Sequence, residues 1–221
     1  MATAESQTIS RYLESIYYMA AEGELVRAAR LAEWLGISQP TAGATLRRMV
    51  RDGLVDITAG KQVRLTPRGE ETAERIVRRH RVAERWLTDI LGLDWVAADE
   101  EAGKLEHALS DEVSERLFRH IGSPTTCPHG NPIPGPGAPE PRPERALRDL
   151  PAGTSSQVLR VSEVAEHDAP QLLRFLGESG LHLGAQVVAA ERNPGAGTVT
   201  VVVAGNRVAM SLDVAGKIWV A

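Results

Sequence analysis

Nine of the thirteen prolines in this 221-residue chain fall between residues 124 and 151. Proline fixes φ and offers no backbone N–H, so such a stretch suits neither a helix interior nor a central strand. It reads as a stiff, extended linker that packs no core of its own. A domain boundary is therefore expected there, and the two sides carry different hydrophobic periods.

On the N-terminal side the period is helical. From Ser6 to Ala21, residues Ile9, Tyr12, Leu13, Ile16, Tyr17 and Ala20 recur at three- and four-residue steps, and Gly23 stops the run. Arg27 to Leu35 predicts a second short helix closed by Gly36. Ser38 caps a third, with Pro40 in its first turn, running through Leu46, Met49 and Val50 to Asp52-Gly53. Two helices joined across a tight Leu-Gly-Ile-Ser turn form a helix-turn-helix. Leu54–Ile57, a turn over Thr58–Lys61 and Val63–Leu65 then predict a β-hairpin ending at Thr66-Pro67, which makes the unit a winged helix. A long helix is expected from Pro67 to Gly92, with Ala73, Ile76, Val77, His80, Ala83, Leu87 and Ile90 along one stripe. A second is expected from Asp99 to His120, with Leu105, Ala108, Leu109, Val113 and Leu117 as its seam.

Beyond the prolines the period shortens. Gln157–Val161, Gln186–Ala190, Thr198–Ala204, Arg207–Met210 and Lys217–Val220 are β-rich runs separated by glycine turns. Asp168-Ala169-Pro170 opens a helix over Gln171–Glu178, with Asp168 as its cap. Short strands with one helix suggest a small SH3-like barrel. The predicted fold class is mostly α with a small all-β domain. Its expected parts are a winged helix-turn-helix over residues 1–69, a helical metal-binding and dimerisation domain over 70–123, the linker over 124–152 and the barrel over 153–221.

No apolar run approaches the roughly 18 residues of a membrane span, and the first residues lack the basic and apolar segments of a signal peptide. A single cysteine excludes an internal disulfide, so a cytoplasmic protein is expected. The net charge of −4 is unevenly spread. Residues 1–69 hold nine Lys/Arg against seven Asp/Glu, residues 70–150 eleven against sixteen, and residues 151–221 five against six. Only the winged-helix third is positive.

That third carries the clearest functional signal. Its third helix would enter a major groove with Ser38, Gln39, Pro40 and Thr41 nearest the bases, while Arg47, Arg48 and Arg51 meet phosphates. Arg27 and Arg30 before the turn, with Lys61 and Arg64 in the wing, are further phosphate candidates. Winged helices also serve as protein-interaction modules, but the regional charge favours DNA.

A metal-ligand inventory accompanies this signal. His80 and Glu84 are four residues apart, hence on one helix face. Glu106 and His107 are adjacent on the next helix, and Cys127-Pro128-His129 adds a thiol and an imidazole at the mouth of the proline run. Each has a plain structural alternative, such as a core ion pair or a buried inert thiol. Together they exceed what chance clustering would supply.

These residues resemble the diphtheria toxin repressor family of iron- and manganese-dependent regulators, in particular manganese-type members with a C-terminal SH3-like domain. The resemblance rests on RYLESIYYM, SQPTAGATLRRMVRDGLV, LTPRGEETA, RRHRVAERWLTDILGLDW, LEHALSDEV, HGNPIPG and DAPQLLRFLGESGLHLG, which span nearly the whole chain. It implies a homodimeric repressor on a palindromic operator, with two metal sites. The ancillary site maps onto His80, Glu84, Cys127, His129 and Asp168. The primary site maps onto Arg11, Gly103, Glu106 and His107, where Arg11 and Gly103 replace ligating side chains. Arginine has no acceptor and stays protonated, and glycine has no side chain.

Two explanations compete for the altered site. Glu14, one turn after Arg11, joins Glu106 and His107 as a ligand; or the Arg11 guanidinium pairs with Glu106 and acts as a cation surrogate. The second is preferred, because Arg–carboxylate pairing is bidentate and Gly103 leaves room for it. Gly43 and Ala44 leave Thr45 and Gln39 as the main polar base readers, which shifts weight to DNA shape. The expected function is a metal-dependent repressor of manganese or iron homeostasis genes, with Mn²⁺ or Fe²⁺ as cofactor and Zn²⁺ possible in the Cys/His site. A winged-helix regulator that has lost metal dependence or senses another ligand is the alternative, and a zinc hydrolase a more distant one.

Overall fold

A computed structural model describes residues 4–139, 143–169 and 171–221. Helices dominate its first half and an antiparallel sheet its last third, as the two periods require. Helix α1 spans Ala4–Ala21, α2 Ala28–Trp34 and α3 Gln39–Arg51. Ser38 caps α3, its Oγ accepting from Thr41 N at 3.3 Å, and Pro40 occupies the first turn where no N–H is needed. Strands β1 (Val55–Ile57) and β2 (Val63–Leu65) pair antiparallel as the wing, with Lys61 in the left-handed turn between them at φ 59°. Tyr12, Leu13, Ile16, Leu31, Leu46, Met49, Val55 and Val63 are buried together as the core of this unit. Burying such a side chain contributes about 1.5–3 kcal/mol, and this is what holds three short helices together.

Helix α4 (Pro67–Asp89) leaves the wing and contributes both to that core, through Ala73 and Ile76, and to a second one around Ala83 and Leu87. The helix expected from Asp99 to His120 is in fact two, α5 (Trp95–Leu105) and α6 (Asp111–His120). The break has a local cause. Ser110 Oγ accepts from Val113 N at 3.2 Å and starts a new helix, while Glu106 and His107 lie in the turn before it. The apolar seam reads continuously through the break, which is why periodicity alone joined the halves.

The proline-rich segment departs most from expectation. Cys127, His129, Asn131 and Ile133 are all buried, as are Leu147 and Leu150 beyond it. Residues 125–133 fold back on themselves, with Cys127 N donating to Asn131 O at 2.8 Å and Ile133 N to Thr125 O at 2.9 Å. They also dock on strand β4 (Ser155–Val161). Val161 N donates to His129 O at 2.9 Å, and Asn131 Nδ2 to Val161 O at 3.0 Å. Gly130, at φ +89°, lies so close to the Leu159 carbonyl that a β-carbon would collide with it. Proline reduces the entropy lost on folding, so a proline-rich segment with backbone partners packs readily.

The C-terminal sheet has the order β3-β8-β4-β5-β6-β7, antiparallel throughout, and adds β3 (Arg145–Ala146), β5 (Gln186–Asn193), β6 (Thr198–Val203), β7 (Asn206–Ser211) and β8 (Ile218–Val220). Register shifts at Val158/Arg160 and Ala189/Glu191 bend it into the SH3-like barrel. Its helices are α7 (Glu163–Asp168), which the sequence pattern did not announce, α8 (Gln171–Glu178) and α9 (Leu212–Ala215). Asp168 ends α7 instead of capping α8, and Pro170 lies outside the described residues. Among the described residues no helix is long and apolar enough to cross a membrane.

Candidate metal centre

Where α1, α4, α5 and the 125–133 loop converge, two groups of three donors form, each with its ligand atoms within 4.8 Å of one another. One is Glu14, His80 and Glu106; the other is Glu84, Cys127 and His129. His80 and Glu84 do share a face of α4 and line one cavity of about 260 Å³, yet they turn to different partners. His80 Nδ1 is 2.8 Å from Glu106 Oε2, and Glu84 Oε1 is 2.7 Å from His129 Nδ1. The five-residue set His80, Glu84, Cys127, His129 and Asp168 is thus divided, and Asp168 belongs to neither group. Its carboxylate is taken by Arg30 at 2.7 Å.

The first group is electrostatically strained. Burial and the nearby Glu106 carboxylate push the Glu14 carboxyl up to about 8, although Tyr18 OH donates to it at 2.9 Å. The His80 ring lies between two carboxylates, with Nε2 3.3 Å from Asp99 Oδ1 and Nδ1 on Glu106. Burial disfavours its charged form, but bonds to Asp99 and Glu106 prevail and hold His80 well above its ordinary range. Both ring nitrogens then donate, so the imidazolium supplies positive charge between Glu106 and Asp99. Burial likewise raises Asp99, and contact with His80 outweighs it, leaving that carboxyl lowered. His107 Nε2 reaches Glu106 Oε1 at 3.3 Å from the other side.

Arg11 stands apart from the Glu106 carboxylate. It is exposed at the same cavity and, among the described residues, forms no ion pair with Glu106, which His80 and His107 already occupy. A side chain at Gly103 would meet open space, so the room is there but the guanidinium does not enter it.

The second group is fully buried, with Glu84 and His129 each 2% exposed and Cys127 1%. Burial, then the Glu84 carboxylate, raise the Cys127 thiol. Trp95 presents its ring edge-on to His129, centroids 4.8 Å apart. Three ionisable side chains buried together, with the Arg81 guanidinium acting on the thiol, suit a divalent ion that would stabilise thiolate and carboxylate together. By donor chemistry, thiolate and imidazole favour zinc or iron, whereas the carboxylate-rich first group favours manganese or iron.

Two residues at this junction escaped the sequence reading. Asp99 precedes Glu106 by seven residues, two helical turns, and that spacing could have found it. Glu163, at the start of α7, receives Arg81 through Nε at 2.9 Å and Nη2 at 2.6 Å, and Arg81 also donates to Pro132 O. No local pattern marked that pair.

On the winged helix, Ser38, Gln39, Pro40, Thr41, Arg27, Arg47, Arg51, Lys61 and Arg64 are exposed, and Thr45 and Arg48 are half-buried. Arg51 contacts Asp52 at 3.2 Å and Arg64 donates to Gln62 Oε1 at 2.8 Å, both local pairs that leave the side chains on the surface. Arg30 differs. It is engaged by Glu24 at 3.3 Å, Glu33 at 3.7 Å and Asp168 at 2.7 Å, so its charge is already spent within the chain.

A winged helix, a helical unit and an SH3-like barrel meeting around two donor clusters define a class, the winged-helix regulators built around metal sites. Residues 6–63 match the iron dependent repressor N-terminal DNA binding domain, residues 66–135 the iron dependent repressor metal binding and dimerisation domain, and residues 145–221 the FeoA domain. The chain belongs to the iron-dependent repressor family. It is 39% identical to the iron-dependent repressor IdeR of Mycobacterium tuberculosis over 210 residues, covering 90% of each chain. It is 40% identical to the diphtheria toxin repressor of Corynebacterium efficiens over 188 residues, 81% of each. A solved manganese-dependent transcriptional repressor in complex with manganese superposes with a TM-score of 0.84 at 34% identity, covering 96% of this chain and 99% of that one.

Proposed function

We propose that this chain is a DNA-binding repressor of manganese or iron homeostasis genes whose hold on its operator is set by a divalent metal, Mn²⁺ or Fe²⁺, with Zn²⁺ suited to the Cys127 group. The observation that carries this reading is the parentage of the Glu14–His80–Glu106 group. Glu14 comes from α1 of the winged helix, and His80 and Glu106 come from α4 and the end of α5. Glu14, His80 and Glu106 would hold a divalent ion, whose charge would let the two carboxylates stay ionised side by side. With the ion bound, His80 would give up its proton and Glu14 would be ionised, so that its carboxylate would tie α1 to α4.

Fixing α1 against α4 fixes α3 against the helical unit. In a homodimer this sets the distance between two recognition helices on a palindromic site, which converts metal-binding energy into operator affinity. Gln39, Thr41 and Thr45 would read bases, and Arg27, Arg47, Arg48, Arg51, Lys61 and Arg64 would meet phosphates. We assign DNA reading to residues 1–69, dimerisation and metal binding to 70–123, the docked segment to 124–152 and the barrel to 153–221. The relatives aligned over nearly the whole length are repressors, which supports a regulator over an enzyme.

The test is a binding titration on duplexes selected from random sequence by the purified chain. Shifted complexes with Mn²⁺ or Fe²⁺ that vanish in chelator support the reading, and binding indifferent to every metal and to chelator overturns it.

A further inference from the structure

Helix α7 belongs to the barrel by sequence, lying between β4 and α8, yet its side chains grip the winged helix and α4. Val164 is 1% exposed and packs in the core of the winged helix with Ile16, Met19 and Ile76. Glu22, one residue past α1, accepts from Ser162 Oγ at 2.6 Å and from Val164 N at 3.3 Å. Glu163 holds Arg81 of α4. At the far end, the His167 ring lies parallel on Trp34 of α2, centroids 3.8 Å apart and planes 8° apart, and its Nε2 donates to Trp34 O at 2.9 Å. Asp168 completes the grip on Arg30, whose guanidinium also lies 5.3 Å from the Trp34 ring.

The position of this grip matters. Trp34 is the last residue of α2, four before the Ser38 cap of α3, so holding Trp34 holds the turn from which the recognition helix starts. Glu163–Arg81 ties the same short helix to α4, the element that carries His80 and Glu84. Neither contact uses a metal ligand of the two donor groups.

We propose that α7 is an intrachain clip that holds the winged helix against α4 without metal, and that His167 and Trp34 are positioning residues for metal-dependent operator binding. The consequence for DNA rests on the repressor reading above. Clip and ion restrain the same motion, that of the winged helix relative to α4. A clipped chain has less to order when the ion arrives, so it needs less ion, and a saturating ion compensates for a lost clip.

The experiment compares the full-length chain with His167→Ala and His167→Phe, the latter keeping a flat ring on Trp34 but no nitrogen able to ligate metal. In chelator, hydrogen exchange across residues 28–34 is expected to speed up about tenfold or more in His167→Ala, with β5 and β6 unchanged. The Mn²⁺ midpoint for operator binding is expected to rise about tenfold, with the plateau affinity kept within about threefold. His167→Phe should restore most of both effects.

Unchanged exchange in α2 overturns the clip. So does a phenylalanine variant that behaves like alanine, or a lost plateau with an unmoved midpoint, which is the mark of general damage. A charge swap gives a second check: Arg30→Asp should loosen α2, and adding Asp168→Arg should tighten it again, whereas no rescue counts against the proposal. The exchange measurements need neither metal nor DNA. They decide the clip even if the wild-type chain shows no metal-dependent binding, an outcome that would sink the repressor reading alone.

Discussion

The two donor groups begin one helical turn apart on α4, yet they join different parts of the molecule. Glu84 meets Cys127 and His129, which sit on a loop pinned to β4 by backbone bonds and by the close approach of Gly130. His80 meets Glu106 and, from the winged helix, Glu14. One group is enclosed and joins elements that already pack. The other straddles a seam between the winged helix and the helical unit, and His80 supplies the positive charge among its carboxyl groups. Under the proposed function it is the origin of the ligands, and not their burial, that separates the two groups.

The contrast is broken most severely at Glu106. Glu106→Gln removes one negative charge from the straddling group and leaves the enclosed group untouched. Operator affinity at saturating metal is expected to fall about 100-fold, read by anisotropy of labelled DNA. A loss under about threefold would put the switch elsewhere.

Cys127→Ala makes the complementary cut. It should weaken Zn²⁺ binding about tenfold or more in calorimetry, since the thiolate is the softest donor present, while moving the Mn²⁺ midpoint of operator binding less than about threefold. Equal effects on both would erase the distinction between the groups.

The smallest effect is in pH. Glu14 is raised from its ordinary value to about 8, and His80 is also raised. A raised group contributes stability that is fully present below its unfolded pKa and lost as pH rises through its folded pKa. For Glu14 that window runs from 4.5 to about 8, and the metal-free chain should lose stability across it. Metal must displace these protons, so its stabilising effect should grow with pH by at most about 1.4 kcal/mol per proton per unit. The readout is the melting-temperature gap between Mn²⁺ and chelator from about pH 5.5 to 8. A gap of constant size, or one equally steep in Glu14→Gln, would detach Glu14 from the metal.

Much of the scaffold was legible because it follows repeating patterns. The winged helix came from helical spacing, the Ser38 cap and the Gly36 turn, and the barrel strands from alternation between glycines. What failed has physical causes. The seam through Leu105, Leu109 and Val113 hid the break at Ser110, since a hydrophobic stripe does not register a cap inside it. Composition made residues 124–151 a linker, whereas Asn131 and Gly130 gave the loop the partners it needed to pack. The spacing of His80 and Glu84 placed both on one face but could not reveal that they meet different partners. The charge of Arg11 is visible in sequence, whereas the proton on His80 depends on Asp99 and Glu106 converging in space. Six-residue α7, too short to show a period, was invisible.

Val164 gives the chain a schedule. The core of the winged helix is built from residues 12 to 76 and then completed by a side chain some ninety positions later in synthesis. At about 5–20 residues per second, the DNA-reading unit would leave the ribosome several seconds before its last core side chain is made. The core of the winged helix is thus completed by a side chain that belongs, by sequence, to the barrel.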